Sequence, residues 1–180
     1  SGQEEKDHFS DLQTRLASPY HSLYCRMSYE LKLAAVHYKE GDYLSCSHHL
    51  DEAIVLLDTS VFKGNDHVLF DIEVNTLQAK LDDVTSEGGE KTLMMWGRVM
   101  SLKRNLYEKD DGEEVDTHPE MVSSMVHLAT VLIEIGDLKA AHSLATQAFT
   151  IRNEYYEDSH PALAVCYFLK ANYLRKYGRY

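Results

Sequence analysis

The sequence predicts an all-α chain of antiparallel helix hairpins, repeated about three and a half times. Three observations predict it. The first is a recurring turn. Glu134-Ile135-Gly136-Asp137-Leu138-Lys139-Ala140-Ala141 matches Lys39-Glu40-Gly41-Asp42-Tyr43-Leu44-Ser45-Cys46, and Lys176-Tyr177-Gly178-Arg179-Tyr180 begins the same pattern. Each reads as a helix end, a glycine able to turn at positive φ, a polar residue, and a large apolar residue that opens the next helix. The second is a period. Thr117-His118-Pro119 and Ser159-His160-Pro161 lie 42 residues apart, and so do Gly136 and Gly178. Two unrelated markers with one spacing indicate a repeat. The third is apolar residues at steps of three and four, in a chain of 180 residues with only three Pro.

Taken in order, residues 3–17 carry Phe9, Leu12 and Leu16 at helical spacing and read as a capping helix, so 1–18 is an N-terminal tail and cap. Ser18-Pro19 breaks it, with Pro suited to the first turn of the next helix. From 19 to 180 the chain reads as one repeat domain. Residues 20–40 (Leu23, Met27, Leu31, Ala34, Ala35, Tyr38) and 43–58 (Cys46, Leu50, Ala53, Ile54, Leu57) form the first hairpin. After a connector over 59–66, a helix to about Val84 and a second over 91–107, holding Trp96 in the core, form the next. Their internal turn, Thr85-Ser86-Glu87-Gly88-Gly89, is enlarged. Residues 108–117 hold six acids and one Lys and read as a solvated loop. Residues 118–135 and 138–156 form the third hairpin, with Ala129, Ala141, Ala145 and Ala148 letting the helices approach closely. Residues 160–177 repeat its first helix.

Composition narrows the function. Hydrophobic content of 44% suits a packed fold, and a net charge of −11 disfavours nucleic acid and anionic membrane as partners. No run of about 18 or more apolar residues is present, so no membrane insertion is expected. Cys25, Cys46 and Cys166 are odd in number and widely spaced, as expected for reduced thiols of a cytoplasmic protein. The start lacks Met, and Ser1-Gly2 has the form of a cleavage scar; on that reading the chain is a fragment.

Small residues seven before each turn Gly (Ala34, Ala129, Ala171), and five and twelve after it (Cys46 and Ala53, Ala141 and Ala148), resemble the tetratricopeptide repeat, or TPR. The stretch Ala148-Phe149-Thr150-Ile151-Arg152 through Asp158-Ser159-His160-Pro161 resembles its 42-residue, kinesin-light-chain-type variant. The likeness covers roughly residues 20–180. It implies a right-handed superhelix whose first helices line a concave groove for extended peptides or partner helices. The inward positions it implies are Leu31, Ala35, Tyr38 and Lys39; Asn75, Ala79, Asp82 and Asp83; Val126, Thr130, Ile133 and Glu134; and Phe168, Asn172, Arg175 and Lys176. In this register Gln78 stands where a small residue is usual.

No catalytic constellation and no cofactor site is expected. Ten His form no His-x-x-x-His pair, no Cys-x-x-Cys is present, and His48-His49 diverge on a helix, so no metal is expected. His118 and His160 read as helix-opening anchors. Gly88-Gly89-Glu90-Lys91-Thr92 lacks the core of a phosphate loop, and the acids of 108–117 lack calcium-loop order. The sequence therefore reads as a non-enzymatic interaction module, a scaffold or adaptor for a protein or peptide. Asp82, Asp83 and Glu134 would hold basic groups, Asn75 and Asn172 the peptide backbone, and Arg175 and Lys176 an acidic segment; Tyr38 and Thr130 complete the partner-binding set. Two alternatives stand beside it. One is a regulatory appendage of a larger enzyme, as such repeats form in SET-and-MYND methyltransferases. The other is a homo-oligomer assembled through Tyr167, Phe168 and Leu174.

Overall fold

Pro19 stands at the start of the first described helix, where its missing N–H is no loss. The computed structural model describes residues 19–59, 64–85, 89–108, 118–156 and 162–178. The expected cap over 1–18, the acidic stretch 109–117 and the anchor His160 lie outside these. The described residues form seven α-helices: α1 (Pro19–Glu40), α2 (Tyr43–Thr59), α3 (Asn65–Thr85), α4 (Glu90–Tyr107), α5 (Val122–Ile135), α6 (Leu138–Tyr155) and α7 (Ala162–Lys176). A 3-10 turn, Pro119–Met121, leads into α5. No strand occurs among the described residues.

The short turns are built as the sequence predicts. Gly41, Gly136 and Gly178 have φ of +80°, +91° and +73°, the left-handed region that glycine enters without strain. The Gly136 N–H donates to Leu132 O at 3.0 Å and ends α5. Asp137 Oδ1 then accepts from the Ala140 N–H at 3.1 Å and caps α6. Asp42 Oδ1 does the same for the Ser45 N–H at 3.1 Å. His118 is a helix-opening residue as expected: its Nδ1 accepts from the Glu120 N–H at 3.3 Å. Its ring stacks on Tyr107, with centroids 4.1 Å apart.

The span 19–180 divides by its contacts into two units that meet between Leu77 and Gln78, inside α3. In the first, α1 packs along α2. Met27 and Ala34 on α1, and Cys46, Leu50 and Ala53 on α2, are fully buried. In the second, α5 is central, packed against α4, α6 and α7. One core joins Met121, Met125, Ala129 and Leu132 to Ala141, Ala148 and Ile151 of α6 and to Cys166 and Leu169 of α7. A smaller one joins Ala79, Trp96, Val99 and Val131. Trp96 is buried as expected, and the His127 ring stacks on it with centroids 4.3 Å apart and planes 2° from parallel.

Two predictions follow from this packing. Ala148 has no exposed surface and sits where α6 meets α5. Ala148→Leu should overpack that contact and cost about 1–3 kcal/mol. A melting temperature equal to the parent's would show that the helices are not this close. The second prediction concerns His127. Burial pushes its pKa down; Lys80 and Lys103 push the same way, and Asp83 opposes them. Below the ordinary value of about 6.5, the unfolded chain therefore takes up this proton before the folded one does. This part of the stability is full above that pH and is lost as pH falls through the folded value. Thermal melts from about pH 7.5 down to about pH 5 should show a drop in Tm. His127→Phe, which keeps a ring on Trp96, should remove part of that drop. An identical drop in both proteins would assign it to other groups.

Candidate functional site

The positions implied for partner binding lie on the first helices of the hairpins, and their register follows from the small residues. In α5 the buried Ala129 is followed seven residues later by Gly136, and in α1 Ala34 is followed by Gly41 in the same way. The second hairpin has no glycine at that spacing to fix its count. Its small core residue is Ala79, with no exposed surface and packed with Trp96, Val99 and Val131. Gln78 is half-buried instead. The expected register of α3 is thus one residue early. Ala79, expected to line the groove, is core, because the broad Trp96 ring needs a small residue opposite it.

This shift changes the role of two expected site residues. Asn75 and Asp82 fall on the positions that Met125 and Leu132 hold in α5, and each is only 5% exposed. Asn75 Nδ2 donates to Asp71 O at 2.7 Å and Asp71 Oδ1 at 2.6 Å, so its amide is turned onto its own helix. Asp82 Oδ1 accepts from Lys91 Nζ at 2.9 Å and Gln78 Nε2 at 3.1 Å, which ties α3 to α4. The outward positions pass to Lys80, half-buried, and Asp83, exposed.

The other expected residues keep their places. Tyr38, in the first unit, is half-buried with its ring 6.0 Å from Tyr43. Thr130 is half-buried, and its Oγ1 donates to Val126 O at 2.9 Å. Glu134 is exposed at the end of α5. On α7, Asn172 is half-buried, and Arg175 and Lys176 are exposed in its last turn. There the helix C-terminus favours their charge.

In the second unit, then, α3, α5 and α7 present Lys80 and Asp83, Thr130 and Glu134, and Asn172, Arg175 and Lys176. Sequence reading missed Lys80, His127 and Lys103, which stand within electrostatic range of one another. The Lys103 side chain is buried, and its ammonium donates to Glu120 O at 2.8 Å and Ser123 Oγ at 3.4 Å. Burial pushes its pKa down, Glu120 raises it, and Lys80 lowers it further. Locating Ala79 as the small residue would have brought Lys80 to notice. The face offers charge and hydrogen bonding but no nucleophile paired with a base. Among the described residues, no three His, Cys, Asp or Glu side chains come together as a metal set. No described helix is long and apolar enough to cross a membrane. Cys25, Cys46 and Cys166 form no disulfide with one another, and the last two are buried.

No protein-family profile matches the sequence, and no curated protein does. Among solved structures, the chain is similar to nearly identical TPR-like repeats of a kinesin light chain from Podosopora anserina. The TM-score is 0.63 at 16% identity, over 87% of this chain and 69% of that one. At that identity the likeness is one of fold. With hairpins, turn glycines and small contact residues all in repeat register, the fold of this chain is the TPR-like helical repeat.

Proposed function

We propose that the chain is a non-enzymatic protein-interaction module, a scaffold or adaptor, which binds a partner peptide or helix across the first-helix face of its second unit. One observation carries this reading. The exposed residues of that face are mostly polar, while the small residues Ala79 and Ala129 beside them are buried. Its charge also changes along the repeat, from Asp83 and Glu134 on α3 and α5 to Arg175 and Lys176 on α7. An extended ligand with a basic segment followed by an acidic one is matched in one direction and mismatched in the other. Tyr38 and Asn75 lie in the first unit, and Asp82 contributes through its tie to Lys91.

The test begins with a partner isolated by pull-down with this chain. Asp83→Lys with Glu134→Lys should weaken that partner about tenfold or more at low salt and flatten the salt dependence, while leaving the melting temperature near the parent's. Asp82→Lys should instead lower the melting temperature, because it sets two ammonium groups together at a buried position. Unchanged affinity of the double variant at low and high salt would end the proposal.

A second reading, homotypic assembly, is favoured by α7. Tyr167, Phe168 and Leu174 are 48%, 67% and 37% exposed, although Met125 and Leu132 are buried at the matching places of α5. Sedimentation over a range of concentrations should show a dimer that Phe168→Glu disperses. A monomer at all concentrations would rule this reading out.

A further inference from the structure

A pocket of about 100 Å³ opens on the seam between α6 and α7. We propose that it is a second binding site, which takes a leucine-sized side chain of a partner peptide carrying carboxylates on either side. This site is separate from the first-helix face and stands or falls without it.

The pocket has an identifiable cause in the sequence. Nine residues after the turn glycine of the first hairpin, Leu50 is fully buried. Nine residues after Gly136 stands Ala145, half-buried and on the pocket wall. The repeat register is common to both hairpins, but a buried leucine stands at this place in one and a half-buried alanine in the other. The gap suits what was removed, a branched aliphatic group. An engineered apolar cavity of about 150 Å³ holds benzene, so a space of this size favours an aliphatic chain over a larger ring system.

The walls are fixed before any ligand arrives. Tyr173 stacks on His142 with centroids 4.8 Å apart, and on its other side Tyr177 lies 5.7 Å away. Phe149 meets the edge of Tyr167 at 5.3 Å. The floor is Cys166, only 2% exposed. Side chains already held in place lose little freedom on binding, which favours affinity.

Charge decides the flanks of the ligand. Lys170 Nζ lies 6.0 Å from the centroid of Phe149, at the rim. Among the described residues no Asp or Glu lines the pocket, in a chain whose net charge is −11. An acid-free apolar recess with a cation at its edge is complementary to an aliphatic residue set among carboxylates.

The experiment is amide NMR of the full chain, titrated with three blocked pentapeptides. One has leucine between two aspartates on each side, one has alanine in place of the leucine, and one has lysines in place of the aspartates. The first should shift the amides of Ala145, Phe149 and Lys170. The alanine peptide should bind at least about tenfold more weakly, as loss of a buried leucine side chain requires. The lysine peptide should leave those amides unmoved. Ala145→Leu supplies the residue that the first hairpin already uses here, so it should fold and abolish the shifts. Lys170→Glu, at an exposed position, should reverse the preference for aspartate. Equal response to all three peptides, or shifts that persist in Ala145→Leu, would overturn the proposal. So would movement of the same amides when the chain is diluted without peptide, since a second copy would then be the occupant. Should Ala145→Leu fail to fold, the peptide series and Lys170→Glu still decide.

Discussion

Two helices joined by a two-residue turn cannot stand far apart at the joined end. Their backbones meet there at short range, and only small side chains fit between them. The rest of this structure depends on that constraint. Ala34 faces it from α1 with Cys46 on α2, and Ala129 from α5 with Ala141 on α6; Ala53 and Ala148 continue the small-residue stripe about two turns further along. All six have no exposed surface. The glycine at positive φ and the aspartate cap are the other half of the device. The glycine reverses the chain within one residue, and the aspartate satisfies an orphan N–H at the start of the second helix. Turn and small residues therefore keep a fixed spacing, because one geometry sets both.

That link explains what was legible in the sequence. At Gly41 and Gly136, counting from the turn glycine finds the buried small residues, whereas Ala171, seven before Gly178, is exposed; helix ends fall within about two residues, the usual ambiguity of such boundaries. The first and third hairpins were readable in this way. The second has a longer internal turn, and nothing in its sequence fixes the distance from turn to contact. Its register is set by Trp96, an aromatic ring in α4 that needs Ala79 opposite it. Which of two neighbouring residues, Gln78 or Ala79, faces a ring contributed by another helix is a matter of packing. A one-residue slip turns a helix by about 100°. It carried Asn75 and Asp82 from the outer face into the core and brought Lys80 out. Thr130, Glu134, Arg175 and Lys176 stay in the register that Gly136 and Gly178 set for their helices.

The slip also shows a pattern shared by the first two hairpins. The positions held by Met125 and Leu132 in α5 are Asn75 and Asp82 in α3, and Glu30 and His37 in α1. Polar groups at such places cost free energy unless they are satisfied. Partners meet much of that cost: His49 Nδ1 lies 2.8 Å from Glu30 Oε2, and its ring stacks on His37, whose Nδ1 makes no hydrogen bond but lies 3.6 Å from Asp42 Oδ2. Asp82 takes Lys91 and Gln78. Such contacts need one particular partner at one particular height, whereas a leucine packs acceptably in several. Apolar contact supplies most of the stabilisation of these hairpins, and the polar pairs add specificity of alignment. The third hairpin, whose two-residue turn matches that of the first, holds apolar Met125 and Leu132 at these places instead.

A repeat fold of this kind leaves some positions free to vary. The small contact residues are constrained by close packing, and Ala148, with no exposed surface, can scarcely change. Nine residues beyond the turn glycine of the third hairpin the side chain stands on the seam with the following helix, and its size decides whether a recess opens there. Leu50 is buried at this place in the first hairpin, and Ala145 lines the recess in the third. Neither choice disturbs the backbone, because the turn and the small residues already hold it. Divergence between repeats therefore collects at this distance from the turn and on the outer faces, where charge can change sign from Glu134 to Lys176 at no cost to the core. The residues that make the repeat recognisable are those that cannot carry a distinct function. The residues that distinguish one repeat from the next, Ala145 and Lys170 among them, are where a binding preference can be written.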